Sequence, residues 1–160
     1  MIPSKNRILH KVPFISDDWK TEIHFQIKNT DTANQMEIFS FRSEENIEEA
    51  ILRVAIQTQP TLNLVIELYG TTITLPQALV INNWYKLNII LHRLKNVVNY
   101  SGHQLLIAVN GQLEIDQRLA IQGVVEFTNV GVFSCHRLQP SCLRGHIKQF
   151  SLTQIAKRSK

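Results

Sequence analysis

Apolar and polar residues alternate along most of this chain, in short runs separated by turn residues. A period of two is the mark of β-strands that bury one face. Thr21–Lys28 puts Ile23, Phe25 and Ile27 on one side and Glu22, His24, Gln26 and Lys28 on the other. Met36–Arg42 follows a turn-rich gap. Ile51–Gln57 aligns Leu52, Val54 and Ile56, and Leu62–Tyr69 aligns Leu62, Leu64, Ile66 and Leu68. Gly70 then breaks the pattern, and Thr71–Leu75 reads as the return arm of a hairpin. In Trp84–Leu94, Tyr85, Leu87, Ile89 and Leu91 share one face, while Trp84, Lys86, Asn88, Ile90 and His92 share the other. Gln104–Val109 leads into Asn110-Gly111, a pair that tolerates positive φ at both centres of a two-residue turn. Gln112–Ile115 returns, so Val109 is expected opposite Gln112. Val130–Cys135 and Leu143–Leu152 close the chain. Ile147 is out of step with Phe150 and Leu152, and a β-bulge near Lys148–Gln149 lets all three face inward.

Only residues 43–52 tempt a helical reading, and a loop or one helical turn bearing glutamates fits them better. About ten short strands with little or no helix predict an all-β chain, folded as an antiparallel sandwich or jelly roll. A length of 160 residues with 44% hydrophobic content supports one core. Residues 1–18 read as an N-terminal arm or first edge strand, 19–153 as the sandwich, and 154–160 as a basic tail. No apolar run approaches the roughly 20 residues of a spanning helix. The start lacks a signal peptide's apolar stretch. The compartment follows context: extracellular for an excised domain, cytoplasmic otherwise.

The formal charge of +4 is unevenly spread. No acid follows Glu126, whereas Arg137, Arg144, Lys148, Lys157, Arg158 and Lys160 do. Arg144, His146 and Lys148 alternate, so an extended strand carries them on one face. With Arg93, Lys95 and Arg137 they are expected to form one cationic site for a sulfated glycan or a phospholipid. No aromatic-interleaved platform accompanies them, which disfavours nucleic acid. Cys135 and Cys142 leave three readings open: free thiols, a disulfide, or a metal pair with His136 and His146, whose spacing matches no standard zinc pattern. Trp84 is expected in the core. Glu114-Ile115-Asp116 begins a paired-carboxylate run, but Gln117-Arg118-Leu119 does not complete it. No Ser-His-Asp context, phosphate loop or metalloprotease motif occurs, so no enzyme is expected. Asn99-Tyr100-Ser101 is an N-glycosylation sequon.

The landmarks EIHFQIKNT, EIFSFRSE, LRVAIQ, LVIELYG, NNWYKLNIILHR, LLIAVNGQ, VGVFS and LRGHIKQFSL follow one another in an order that resembles the laminin-G-like, concanavalin-A-like jelly roll, over roughly residues 19–153. The resemblance implies a binding module. The expected function is therefore non-catalytic recognition of a glycan, sulfated or otherwise anionic and heparin-like, or of a protein surface, through a loop rim or basic face. The alternative is a protein–protein assembly domain without carbohydrate binding. Laminin-G domains often bind calcium through Asp and backbone carbonyls at a rim. Here Asp17, Asp18, Asp31 and Asp116 sit in no matching motif, so no cofactor is expected. Galectins share the sandwich, but their His-Asn-Arg and Trp/Glu-x-Arg set is absent here.

Overall fold

The structure, a computed structural model, describes residues 7–30, 32–97, 100–119, 127–135 and 141–154, with the side chains of 95–97, 100 and 101 left out. Eleven strands form two antiparallel sheets among these residues: β1 (Ile8–Ile15), β2 (Trp19–Ile27), β3 (Gln35–Ser43), β4 (Leu52–Gln57), β5 (Asn63–Leu68), β6 (Thr71–Thr74), β7 (Trp84–Val97), β8 (Tyr100–Val109), β9 (Gln112–Leu119), β10 (Phe127–Phe133) and β11 (Gly145–Gln154). One sheet runs β1-β10-β3-β4-β5-β6 and the other β11-β2-β7-β8-β9. The expected antiparallel sandwich is what forms. Residues 43–52 hold one 3₁₀ turn, Glu44–Asn46, capped by the Ser43 hydroxyl, which accepts from the Glu45 amide. No described helix is long and apolar enough to cross a membrane.

Strand parity decides what is buried. Ile23, Phe25 and Ile27 of β2 meet Leu52, Val54 and Ile56 of β4 and Leu87, Ile89 and Leu91 of β7 in one core. Trp19 is its aromatic anchor at 1% exposure, with its ring edge-on to Phe41 at 5.5 Å. Trp84 is not in that core. It is 44% exposed, because it shares the outer face of β7 with Lys86 and Asn88, and Tyr85 is the residue that turns inward. The expectation that Trp84 anchors the sheets is corrected accordingly.

Asn110 (φ 53°) and Gly111 (φ 81°) form the hairpin turn, with Val109 opposite Gln112. In β11 the register steps from Ile147↔Phe25 to Gln149↔His24, which leaves Lys148 as the bulged residue. Ile147 and, beyond the bulge, Phe150 and Leu152 all pack on the core. Of the open cysteine readings, the structure takes the disulfide: Cys135 and Cys142 are bonded, with Cα atoms 5.5 Å apart. Cys142 also bridges Glu37 of β3, which continues that side of the sheet beyond β10.

Candidate functional site

Of the six residues expected to share one anionic site, Arg93 lies apart from Arg144, His146 and Lys148. Gly145 and Trp84 lie at the same end of the five-stranded sheet, since Gly145 pairs with Ile27 and Trp84 with Gln26. Arg144, His146 and Lys148 belong to that end. Arg93 and Lys95 lie much further along β7; at about 3.3 Å per residue, Arg93 is roughly 30 Å from Trp84. Arg93 is also committed elsewhere. Its guanidinium forms a bidentate pair with the buried Asp17 carboxylate, with Nε 2.9 Å from Oδ2 and Nη2 on Oδ1. His103 Nε2 shares the same carboxylate at 2.7 Å. Burial alone would raise the Asp17 carboxyl; the bonds from Arg93 and His103 outweigh it and hold Asp17 below its ordinary value. Arg93 is thus part of a structural clasp, and the single-patch expectation is corrected on that point. Lys95's side chain and Arg137 lie outside the described residues.

A second, larger polar assembly lies on the outer face of the six-stranded sheet, along β3, β4 and β5. Sequence alternation already turns Arg53 away from the core face of Leu52, Val54 and Ile56. The structure shows what it meets. Arg53 Nε donates to Glu37 Oε1 at 3.1 Å, and its Nη1 donates to Gln35 Oε1 at 2.8 Å and lies 3.6 Å from Glu67. Arg42, fully buried, donates from Nε to Ser40 Oγ at 2.9 Å. Its Nη1 donates to the carbonyls of Ile47 and Glu48 at 3.0 and 3.1 Å, and Nη2 is 3.6 Å from Glu37. Burial pulls the Arg42 guanidinium below its ordinary value, and the Glu37 carboxylate opposes that pull. A carboxylate with no exposure thus sits between two arginines, an arrangement that avoids an unpaired buried charge. Arg42 fastens the loop after β3 to the sheet.

That fastening shapes two hollows at the loop rim. One, of about 640 Å³, is bounded by Arg42, Arg53, Glu48, Glu67 and Thr72. The other, of about 600 Å³, is bounded by Tyr69, Phe127, Ile51, Asn46, Glu45 and Thr128. Glu49, Ala50 and Gly70 border both, so the two are neighbours. Tyr69 and Phe127 stack at 6.2 Å with planes 16° apart. Glu45 and Glu49 are held in place, Glu45 by the Thr128 hydroxyl at 2.8 Å and Glu49 by the Asn46 amide at 3.2 Å. Tyr69 adopts φ 47° in the two-residue Tyr69-Gly70 turn, a region that L-residues with large side chains seldom enter. Burial raises its phenol well above the ordinary value, so the hydroxyl stays protonated.

Sequence reading missed this rim. Its components come from three stretches, 42–53, 67–72 and 127–128, and nothing local in the sequence brings them together. Of the four aspartates weighed for calcium, the three that the structure describes all have partners, and Asp31 lies outside the described residues. Asp17 is saturated by Arg93 and His103, Asp18 faces His92 at 3.3 Å, and Asp116 accepts from the Gln104 amide at 2.7 Å. No trio of ligating side chains converges among the described residues.

No protein-family model matches the chain, and no curated protein matches its sequence. Solved structures do match. A heptameric SAP-like pentraxin from Limulus polyphemus superposes with a TM-score of 0.64 at 12% identity, covering 94% of this chain and 73% of its own. Alginate lyase Aly36B, solved as a double mutant holding alginate tetrasaccharide, gives 0.65 at 11% identity, over 93% of this chain and 74% of the lyase. A human galectin-16 variant gives 0.56 at 11% identity, over 94% and 99%. The chain has the concanavalin-A-like jelly-roll fold. This jelly roll carries lectins and lyases alike. The expectation of a non-enzyme is therefore withdrawn, because alginate lyases stand among its structural neighbours and the sandwich alone does not separate binding from catalysis.

Proposed function

We propose that this jelly roll recognises a saccharide in the twin hollow at its loop rim. Tyr69 carries the reading. A left-handed conformation costs an L-residue of order 1–2 kcal/mol, and outliers of this kind cluster at ligand sites. Here the cost keeps an aromatic ring against Phe127 on the wall of a hollow whose rim offers Asn46, Glu45, Glu49 and Thr128 to hydroxyl groups. An aromatic wall with a few fixed polar groups is the usual make-up of a small-ligand site. The alginate tetrasaccharide held by Aly36B, a protein of the same fold, supports the ligand class.

Calorimetric titration with alginate tetrasaccharide and with a neutral tetrasaccharide tests the reading, with the product mixture examined for cleavage. Binding of at least one sugar is expected, and its loss in both Tyr69→Ala and Tyr69→Asn. The Asn variant should be the more stable of the two by about 1 kcal/mol, since Asn tolerates positive φ far better than Ala. Undiminished binding in both variants, or no binding by the wild type, refutes the site.

A further inference from the structure

The other end of the molecule presents a different surface. Among the described residues, three large hydrophobic side chains stand exposed within one short stretch: Val80 at 56%, Ile81 at 39% and Trp84 at 44%. Their exposure is built in. The Val80 backbone amide donates to Tyr85 Oη at 2.7 Å, the Asn82 backbone amide donates to the Ile27 carbonyl at 2.7 Å, and the Gln26 side-chain Nε2 donates to the Asn82 carbonyl at 2.7 Å. Asn82 adopts φ 74° to make the turn. The turn is thus bolted to β2 and β7 with its apolar side chains pointing out, so they cannot fold back on the core.

Cations ring this tip. The bulge in β11 sends Lys148 across the sheet, where its Nζ lies 5.5 Å from the centroid of the Trp84 ring. The Arg144 carbonyl accepts from the amides of Lys28 and Asn29 at 2.8 and 3.1 Å, which brings two exposed cationic residues beside Ile27, where the turn is anchored. Lys86, next along the outer face, pairs with Glu22 at 3.5 Å.

We infer that this end docks on an anionic phospholipid bilayer, with Val80, Ile81 and Trp84 entering the interface and Lys28, Arg144 and Lys148 meeting the headgroups. Charge alone would serve a sulfated glycan equally. The aliphatic pair decides between them: Val80 and Ile81 gain nothing from a sulfated sugar, whereas burying apolar surface in the acyl boundary is favourable. A Trp beside that pair suits the membrane interface, where one side of its ring is wet. Juxtamembrane cations add attraction to anionic lipid that fades with salt. The site is separate from the rim hollows and does not rest on the saccharide reading.

Sedimentation of the full chain with vesicles tests the inference. The protein is expected to pellet with phosphatidylcholine–phosphatidylserine vesicles at low salt and to stay in solution with phosphatidylcholine alone. Lys148→Ala should weaken binding about fivefold, and Arg144→Ala/Lys148→Ala further, as the energy per surface cation implies. Val80→Asp/Ile81→Asp should abolish binding; both positions are exposed, and an unchanged circular dichroism spectrum confirms the fold. Ile81→Ser gives a milder check, with reduced binding expected. The Trp84 fluorescence should shift to the blue on binding, because Trp19 is already buried. Three results overturn the inference: vesicles ignored at low salt, equal binding by the aspartate double variant, or full competition by soluble glycerophosphoserine, which marks a headgroup pocket. Retention on heparin that survives the aspartate changes, without vesicle binding, assigns the cations to a sulfated glycan instead.

Discussion

Gly145 stands where β11 begins against β2, and a Cβ built there lies 1.8 Å from the Gln26 carbonyl oxygen. Backbone cannot yield as a flexible side chain does. Gly145→Ala is expected to cost about 3 kcal/mol, the upper end of overpacking, read as a shift in the denaturant midpoint at constant slope. A midpoint equal to wild type would show that β11 starts elsewhere. The Asp17 clasp makes a second residue-level prediction. Asp17 is buried and its folded value is depressed. Its stabilisation is therefore complete above the unfolded carboxylate value of about 4 and fades as pH falls through the lower folded value. Asp17→Asn strands the Arg93 and His103 side chains, so about 3 kcal/mol should be lost at neutral pH. The difference between variant and wild type should shrink in acid. Equal stabilities at pH 7 would show that the clasp contributes nothing.

Strands were the legible elements, because parity is local. Alternation placed Ile23, Phe25, Leu87, Ile89 and Leu91 in the core, and the phase break after Ile147 located a bulge that could be read from three side chains. Pairing across the fold left no such trace. Arg93 binds a carboxylate 76 positions away, and nothing local distinguishes a clasped arginine from a ligand-binding one. The same limit hid Glu37 between Arg42 and Arg53, and with it the rim. Trp84 shows strand phase prevailing over residue type: an aromatic ring favours the core, but its position on the outer face of β7 leaves it exposed. The cysteine loop carries a prediction at this scale. Cys135 and Cys142, seven positions apart, close a short loop beside β3. Chain entropy for so short a loop gives about 2.5 kcal/mol. Cys135→Ser/Cys142→Ser should lose about that much in a urea titration, and the loss should match that of the reduced wild type. A much greater loss in the variant than on reduction would mean that the serines disturb the core around Cys135, which is fully buried.

At the scale of the whole molecule, the two proposed surfaces lie at opposite ends of one packed sandwich. The rim hollows sit beyond the ends of β3 and β5, whereas the Val80–Trp84 tip sits where β7 begins and β2 ends. Between them runs a core of fully buried Ile, Leu, Val and Phe side chains. Coupling between distant sites needs an element with two arrangements that both ligands bias, and close-packed interiors resist graded deformation. One continuous buried cluster joins the two ends among the described residues. The two surfaces are therefore expected to act independently. Phosphatidylserine vesicle affinity, measured with and without saturating saccharide, should agree within about twofold. Linkage demands the same of saccharide affinity with and without vesicles. A shift beyond about fivefold, or about 1 kcal/mol of coupling, would show that the sandwich transmits a signal along its strands. Tyr69→Asn then separates the causes. If the shift vanishes in a variant that cannot hold the sugar, the signal starts at the rim; if it persists, the saccharide is acting at the cationic end itself.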